Sequence, residues 1–266
     1  MLELILLSLP LAIVASVPLL LAVQGELVVQ RSGMINLGIE GMLLAAAFGA
    51  SMTSSIAGGV AGAALVALIF GIFVITLAAD QIVTGTAINL LVLGATAFAY
   101  RELHPAPPPP LTPDFITPFA WIVVPILVAV LLWNTTFGLR LRASGENPSV
   151  VSVARYRWSA LGIEAILAGL GGAHLALALS NGFAENMTAG RGYIALAVVI
   201  FGRWKVKGAV IGTAVFGISA ALQYAFQAGN YGLPFHLLLA TPYVVTLLIL
   251  CGITGRVRAP EWLGKR

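Results

Sequence analysis

Few side chains in this sequence could do acid–base chemistry inside its apolar stretches. Glu40 and Glu164 are the acids there, and His174 is the only histidine. A charge at mid-membrane costs roughly 2.5–3.5 kcal/mol on insertion scales, so each group must face protein or water and have a partner. Asn36 and Glu40 share one helix face because they are four residues apart. For Glu40 a structural role and a pathway role are equally open, whereas we expect Glu164 to be an interface residue and His174 a packing residue.

Sequence patterns of common catalytic sites are missing. The sequence has no Gly-x4-Gly-Lys-Ser/Thr phosphate loop, which excludes ATP binding of that kind. It has no His-Glu-x-x-His zinc helix, and its three histidines fall on separate segments. Its one cysteine, Cys251, lies in an apolar run, so no internal disulfide is possible. We therefore expect no catalytic residue, no metal site and no cofactor in this chain.

The composition is that of a membrane protein. Hydrophobic residues make up 59% of the chain and charged residues 9%, which leaves too little polar surface to cover a soluble globule. A net charge of +4 could suggest nucleic acid. The basic residues, however, cluster in loops between apolar runs, which is a topology signal rather than a phosphate-binding stripe. We predict an all-α polytopic protein that contacts the lipid bilayer and binds no nucleic acid.

The apolar runs predict about eight full transmembrane helices and two short or broken ones, in a single transmembrane domain over residues 1–266. Residues 24–41 are too polar for lipid and too apolar for a loop, so they must be buried by protein or line a cavity. The run 192–203 reaches about 18 Å as a helix, which is less than the hydrocarbon thickness. Residues 33–37 resemble residues 192–196, which suggests a possible internal repeat.

Paired interrupted helices are the best sequence-level sign of a transport pathway. Arg191 and Tyr193 lie at the outer end of the second short segment, where they could contact a solute or a docked binding protein. An interfacial anchor of one basic and one aromatic residue is the alternative for these two side chains.

Two polar loops indicate the orientation. Residues 101–118 are rich in proline and predict an extended extracytoplasmic loop. Residues 138–157 hold four arginines between apolar runs, so the positive-inside rule places them in the cytoplasm. This orientation leaves only three of the 14 basic residues outside or at the outer edge, namely Arg31, Arg101 and Arg191. Pro148 suits a first helical turn, and residues 149–154 could form a short surface helix that docks a soluble partner; a loop that only sets topology is the alternative.

Four stretches, in order along the chain, resemble permease subunits of the ABC importer family that serves nucleosides, simple sugars and branched-chain amino acids, with the nucleoside branch most similar. They are SGMINLGIEGM at 32–42, DQIVTGTAINL at 80–90, GLRLRASGENP at 138–148, and MTAGRGYIALA at 187–197 with FGRW at 201–204. The third stretch resembles the family's cytoplasmic coupling segment, which meets the ATPase.

The resemblance implies a permease in a bacterial or archaeal cytoplasmic membrane that takes up nucleosides or a related small polar solute. It implies three partners: a cytoplasmic ABC ATPase, an identical or different second permease, and an extracytoplasmic solute-binding protein. The predicted ATPase-coupling residues are Gly138, Arg140, Arg142, Gly145, Glu146, Asn147 and Pro148. The predicted translocation pathway comprises Asn36, Glu40, Asn89, Arg191 and Tyr193. A stand-alone secondary carrier or channel for a small polar solute is the alternative, because it would use the same broken helices.

Overall fold

A computed structural model describes residues 10–103, 107–110, 113–228 and 259–265. All regular secondary structure in these ranges is helical, which confirms the all-α prediction. The helices are α1 Val17–Arg31, α2 Ile39–Thr53, α3 Ile56–Gly71, α4 Gln81–Leu103, α5 Pro113–Pro118, α6 Val124–Asn134, α7 Thr136–Glu146, α8 Val153–His174, α9 Arg191–Phe201 and α10 Val206–Ala228.

Wider π-helical turns lengthen three of the helices. Ile72–Thr76 continues α3, Phe119–Val123 precedes α6, and Leu175–Leu179 continues α8. With these turns, four helices are long and apolar enough to cross a membrane, and three others are apolar but shorter. The long ones are Ile56–Thr76, Gln81–Leu103, Ile116–Asn134 and Val153–Leu179, and the shorter ones are Ile39–Thr53, Arg191–Phe201 and Val206–Ala221. The sequence also predicts a last span over residues 235–254, and all of it lies outside the described residues.

Helix α8 lies at the centre of the bundle, where it packs against α1, α2 and α3. Small residues bring these backbones together. A Cβ on Gly59 of α3 would lie 3.0 Å from the carbonyl oxygen of Gly169, and one on Gly172 would lie 2.5 Å from Cβ of Ala46. Lipid tails are as apolar as leucine, so close contacts of this kind, rather than hydrophobic burial, hold membrane helices together.

The two ends of the bundle carry different residues and contacts. The basic end carries residues 138–157, and there Ser144 Oγ donates to the Ser32 carbonyl over 3.1 Å. At the opposite end Arg101 pairs with Glu185 over 2.7 Å.

Arg31 lies at the basic end, so its prediction at the outer edge is wrong. Arg31 and Arg142 both lie over the Trp133 ring, 5.2 and 4.8 Å from its centre. The error came from reading residues 24–41 as a separate short crossing. The polar residues Gln24, Glu26 and Gln30 instead belong to α1 and face protein, so α1 runs on to Arg31 without interruption.

The arginine-rich segment, residues 138–157, has its helix before Pro148 rather than after it. Helix α7 starts at Thr136, where the Thr135 Oγ1 accepts a hydrogen bond from the Gly138 amide over 2.9 Å. Asn147 is extended, as the residue before a proline tends to be, and a single 3₁₀ turn, Pro148–Val150, follows. The predicted surface helix over 149–154 is therefore wrong, because α8 already begins at Val153.

The proline-rich loop is shorter than predicted. Helix α4 continues to Leu103, and α5 begins at Pro113. Proline is tolerated in a first helical turn because its missing N–H would have no partner there. Of the described residues between these helices, 107–110 have no regular structure.

Candidate functional site

The chain leaves helical geometry between α1 and α2, over residues 32–38, which we call the first break. Asn36 is fully buried there. Its Nδ2 donates to Oε2 of Glu164 over 2.7 Å, and its Oδ1 accepts from the Gly38 amide over 2.9 Å. Backbone that leaves a helix inside a membrane must find such partners, and the Asn36 amide supplies both a donor and an acceptor.

Two buried carboxyl groups lie beside Asn36. Glu26 of α1 and Glu164 of α8 are both fully buried. Glu26 Oε1 accepts from the Asn36 amide over 3.4 Å and from Gln30 Nε2 over 2.8 Å. The prediction of Glu164 as an interface residue is wrong, because none of its surface is exposed. Gly25 allows the close approach, since a Cβ there would lie 3.1 Å from the Glu164 Cα. An acid in a segment too polar for lipid was the sequence signal for Glu26, which the predicted pathway omitted.

Helix α4 supplies two more amide side chains to the first break. Gln81 Oε1 accepts from the Ile35 amide over 2.7 Å. Asn89 Nδ2 donates to the Leu37 carbonyl over 2.7 Å and to the Tyr193 hydroxyl over 2.9 Å. Asn89 Oδ1 accepts from the Gly41 amide over 2.8 Å. Asn89 therefore joins the first break to α9, and the structure brings three predicted pathway residues, Asn36, Asn89 and Tyr193, around one stretch of backbone.

A second irregular stretch, residues 180–190, precedes α9, and we call it the second break. The Glu40 carboxylate, from the first turn of α2, accepts hydrogen bonds at the end of this stretch. Its Oε1 accepts from Thr188 Oγ1 over 2.6 Å and from the Gly190 amide over 2.8 Å, and its Oε2 accepts from the Gly192 amide over 2.6 Å. A negative charge at the amino end of a helix is favourable because unpaired N–H groups point at it. Glu40 thus caps α9 from a neighbouring helix.

Arg191, the remaining predicted pathway residue, lies on another side of α9. Its Nη1 donates to the carbonyls of Met187 and Thr188 over 2.9 and 3.0 Å. It borders a cavity of about 190 Å³ between the start of α1, α9 and α10, with Ser16 and Phe216 on the other walls. The structure therefore separates Arg191 from the group around Asn36.

His174 is buried, and its Nε2 lies 3.3 Å from the Val14 carbonyl, in agreement with a packing role.

The predicted coupling residues divide into two sets. Gly138, Arg142 and Gly145 face the bundle: Gly138 is packed against the Leu132 backbone, Arg142 against the Trp133 ring, and Gly145 against the Arg31 carbonyl. Arg140, Glu146 and Asn147 are exposed, Pro148 is half-buried, and Leu139 keeps 60% of its surface exposed. One set can hold α7 in place while the other remains available to a partner.

Comparison with known proteins identifies the family. Residues 8–253 match the family described as branched-chain amino acid transport system / permease component. The chain belongs to this family. It is thus the permease subunit of an ABC importer, a transport protein rather than an enzyme. The family and the apolar helices together confirm a multi-pass protein of a bacterial or archaeal cytoplasmic membrane.

Relatives of this permease match over most of its length. It is 30% identical to the nucleoside ABC transporter permease protein NupC of Lactococcus lactis subsp. cremoris, over 94% of this chain and 92% of that protein. It is 29% identical to the guanosine ABC transporter permease protein NupQ of Bacillus subtilis, over 95% and 93%. The putative glucose ABC transporter permease protein TsgC13 of Haloferax volcanii is 31% identical, over 80% and 76%. No solved structure matches the chain.

Proposed function

We propose that this permease translocates nucleosides, or a closely related small polar solute. The observation that carries the proposal is similarity to two permeases named for nucleoside and guanosine transport, over more than nine-tenths of each chain. The relative named for glucose matches over a smaller share of its length, so sugar uptake is the second candidate.

Uptake by the complex purified from its native membranes and reconstituted in liposomes tests the substrate. Labelled guanosine, glucose and leucine would be offered with and without ATP. We expect ATP-dependent uptake of guanosine, competed by other nucleosides. Uptake of glucose or leucine in its place would contradict the proposal, and uptake that needs no ATP would favour a stand-alone carrier or channel.

We further propose that the polar groups at the two breaks divide their work. Asn36, Glu40 and Asn89 use their hydrogen bonds within the protein, so they hold the two breaks in position. Tyr193 and Arg191 also bond to the protein, but Tyr193 keeps 45% of its surface exposed and Arg191 borders the cavity, so these two are the side chains that would meet the solute. Arg191→Gln should therefore raise the Michaelis constant for uptake. Variants of Asn36, Glu40 and Asn89 should instead reduce the amount of folded protein.

The arginine-rich segment is proposed to be cytoplasmic and to dock an ABC ATPase through the exposed Leu139, Arg140, Glu146 and Asn147. A second permease and an extracytoplasmic binding protein complete the complex that the family implies. Charge reversal tests the docking surface, because facing like charges cost several kcal/mol at an interface.

Arg140→Glu should leave the protein inserted but abolish the stimulation of ATP turnover by the loaded binding protein. Lys207→Glu is the matched control, because Lys207 is exposed at the same end but on α10. Unchanged stimulation in Arg140→Glu would mean that the ATPase docks elsewhere and that residues 138–157 only set topology.

A further inference from the structure

The backbones of three segments that are distant in sequence meet at one point of the basic end, and each contributes a glycine there. Gly33 lies in the first break, Gly145 near the end of α7, and Gly264 near the carboxyl terminus. The Gly264 amide donates to the Gly33 carbonyl over 3.0 Å. A Cβ on Gly33 would lie 3.0 Å from the Gly145 Cα. The three segments are therefore in direct backbone contact.

Residues 259–265, which we call the C-terminal strap, form hydrogen bonds to the segments that meet at this contact. The Trp262 amide donates to the Gly145 carbonyl over 2.9 Å. Arg157, from the first turns of α8, donates through Nη2 to the Lys265 carbonyl over 3.1 Å. Ala259 and Leu263 pack against the main hydrophobic core. The strap thus bonds to α7, to the first break and to α8.

Glycine is required at this junction for two separate reasons. Gly33 and Gly264 have φ of +91° and +73°, a conformation that side chains with a Cβ adopt at a cost. Gly145 has ordinary geometry, but a Cβ there would come within 2.5 Å of the Arg31 carbonyl oxygen and 2.9 Å of the Gly33 nitrogen. The close backbone contact therefore leaves little room for α7 to move relative to the first break.

We propose that the C-terminal strap is a positioning element that locks α7 to the first break, so that a displacement of α7 moves Asn36 and the buried carboxyl groups beside it. The path is short and packed at every step: Gly145 touches Gly33, three residues before Asn36, and Asn36 bonds to Glu164 of the central helix. A contiguous packed network of this kind is what carries coupling between distant sites. The inference rests on the proposed function, in which α7 receives the movement of the ATPase.

Two variants undock the strap by different chemistry. Gly264→Val places a β-branched residue at positive φ, and Trp262→Pro removes the amide that donates to Gly145. Gly162→Val is the matched control, because nothing lies within 4 Å of a Cβ at Gly162. None of these substitutions replaces a residue of the proposed docking surface or a polar residue of the breaks; the strap meets the docking surface at one point, where the Glu261 amide donates to Glu146 Oε2 over 3.4 Å.

The intact complex would be measured in two ways: hydrogen exchange of the amides of residues 33–37, and ATP turnover with and without loaded binding protein. We expect both strap variants to exchange faster at 33–37, to keep basal turnover, and to lose stimulation by roughly 2- to 30-fold, the range for residues along a coupling network. The control should match the wild type in both measurements.

Full stimulation in a variant whose residues 33–37 exchange faster would overturn the proposal, as would unchanged exchange in both strap variants. A wild-type complex that shows no stimulation would instead contradict the proposed function, and the exchange measurement would still decide whether the strap holds the first break.

Discussion

The two breaks solve one physical problem with different chemistry. In the first break, freed backbone groups are met mainly by neutral amides, those of Gln81 and Asn89 from α4 and that of Asn36 itself; Ser144 and Glu26 add one bond each. In the second, Ser51 accepts from the Phe183 amide, but the end that leads into α9 is met by ions, the Glu40 carboxylate and the Arg191 guanidinium. An amide can donate and accept, which suits a stretch with free N–H and C=O groups. A carboxylate can only accept, which suits the amino end of a helix, where N–H groups alone are free.

Hydrogen bonds also link the two breaks to each other. Glu40 stands in the first turn after the first break, yet its carboxylate serves the second. Asn89 serves the first break and bonds to Tyr193 after the second. A displacement of α2 or of α9 therefore strains the hydrogen bonds to the other helix. Substitutions can show which of these bonds contributes most.

The largest effect is expected for Glu40→Leu. It leaves Thr188 Oγ1 and the Gly190 and Gly192 amides without their shared acceptor, at a cost of at least about 3 kcal/mol since hydrogen bonds to charged groups are the strong ones. Thermal unfolding in detergent measures the loss, and ATP-driven uptake should fall with it. Glu164→Gln keeps a polar group of the same size beside Asn36 and should lose less. If the two variants match the wild type in both assays, the charged cap contributes nothing.

An intermediate effect is expected for Asn89→Leu, which removes the partner of the Leu37 carbonyl and of the Gly41 amide. Leaving buried groups unpaired costs about 1–3 kcal/mol each, so the unfolding midpoint should drop, but by less than for Glu40→Leu. Asn89→Asp is the informative companion, because it keeps the acceptor for Gly41 and loses the donors. Equal losses in the two variants would show that the donor side of Asn89 carries the link.

A smaller effect is expected for Tyr193→Phe. The hydroxyl accepts one bond from Asn89, whose amide still reaches the Leu37 carbonyl. The loss should be about 0.5–1.5 kcal/mol, the net contribution of an ordinary hydrogen bond. The unfolding midpoint in detergent measures it. A drop as large as that of Asn89→Leu would mean that Tyr193, rather than Leu37, is the essential partner.

The smallest effect is expected outside the breaks, for Glu185→Gln. The pKa of Glu185 is lowered because Arg101 donates hydrogen bonds to its carboxylate and adds positive charge. The stabilisation from this pair is present above the ordinary glutamate pKa and is lost as pH falls through the lowered one. Because the pair is exposed and screened, unfolding midpoints between about pH 3 and about pH 8 should differ little between variant and wild type. A large difference at neutral pH would contradict this.

Composition and apolar runs predicted the helical class, and the polarity of residues 24–41 marked the first break. The same polarity misplaced Arg31, because it suggested a separate short crossing, whereas Gln24 and Glu26 continue the first helix. The similarity of residues 33–37 to 192–196 does not extend to conformation: the first stretch is irregular and the second is the start of α9. The cap that Glu40 forms joins residues about 150 positions apart, and no local pattern encodes such a pairing.

The close fit of α8 between α2 and α3 also sets an order of events during synthesis. Gly59 and its neighbours on α3 leave a notch that the backbone at Gly169 fills, and the ribosome makes α3 roughly 110 residues earlier. Synthesis proceeds at about 5–20 residues per second, so roughly 5–22 s pass between the synthesis of Gly59 and that of Gly169. Helices α2 and α3, adjacent in sequence, can pair during that time. We expect lipid to fill the notch at first and α8 to displace it on arrival.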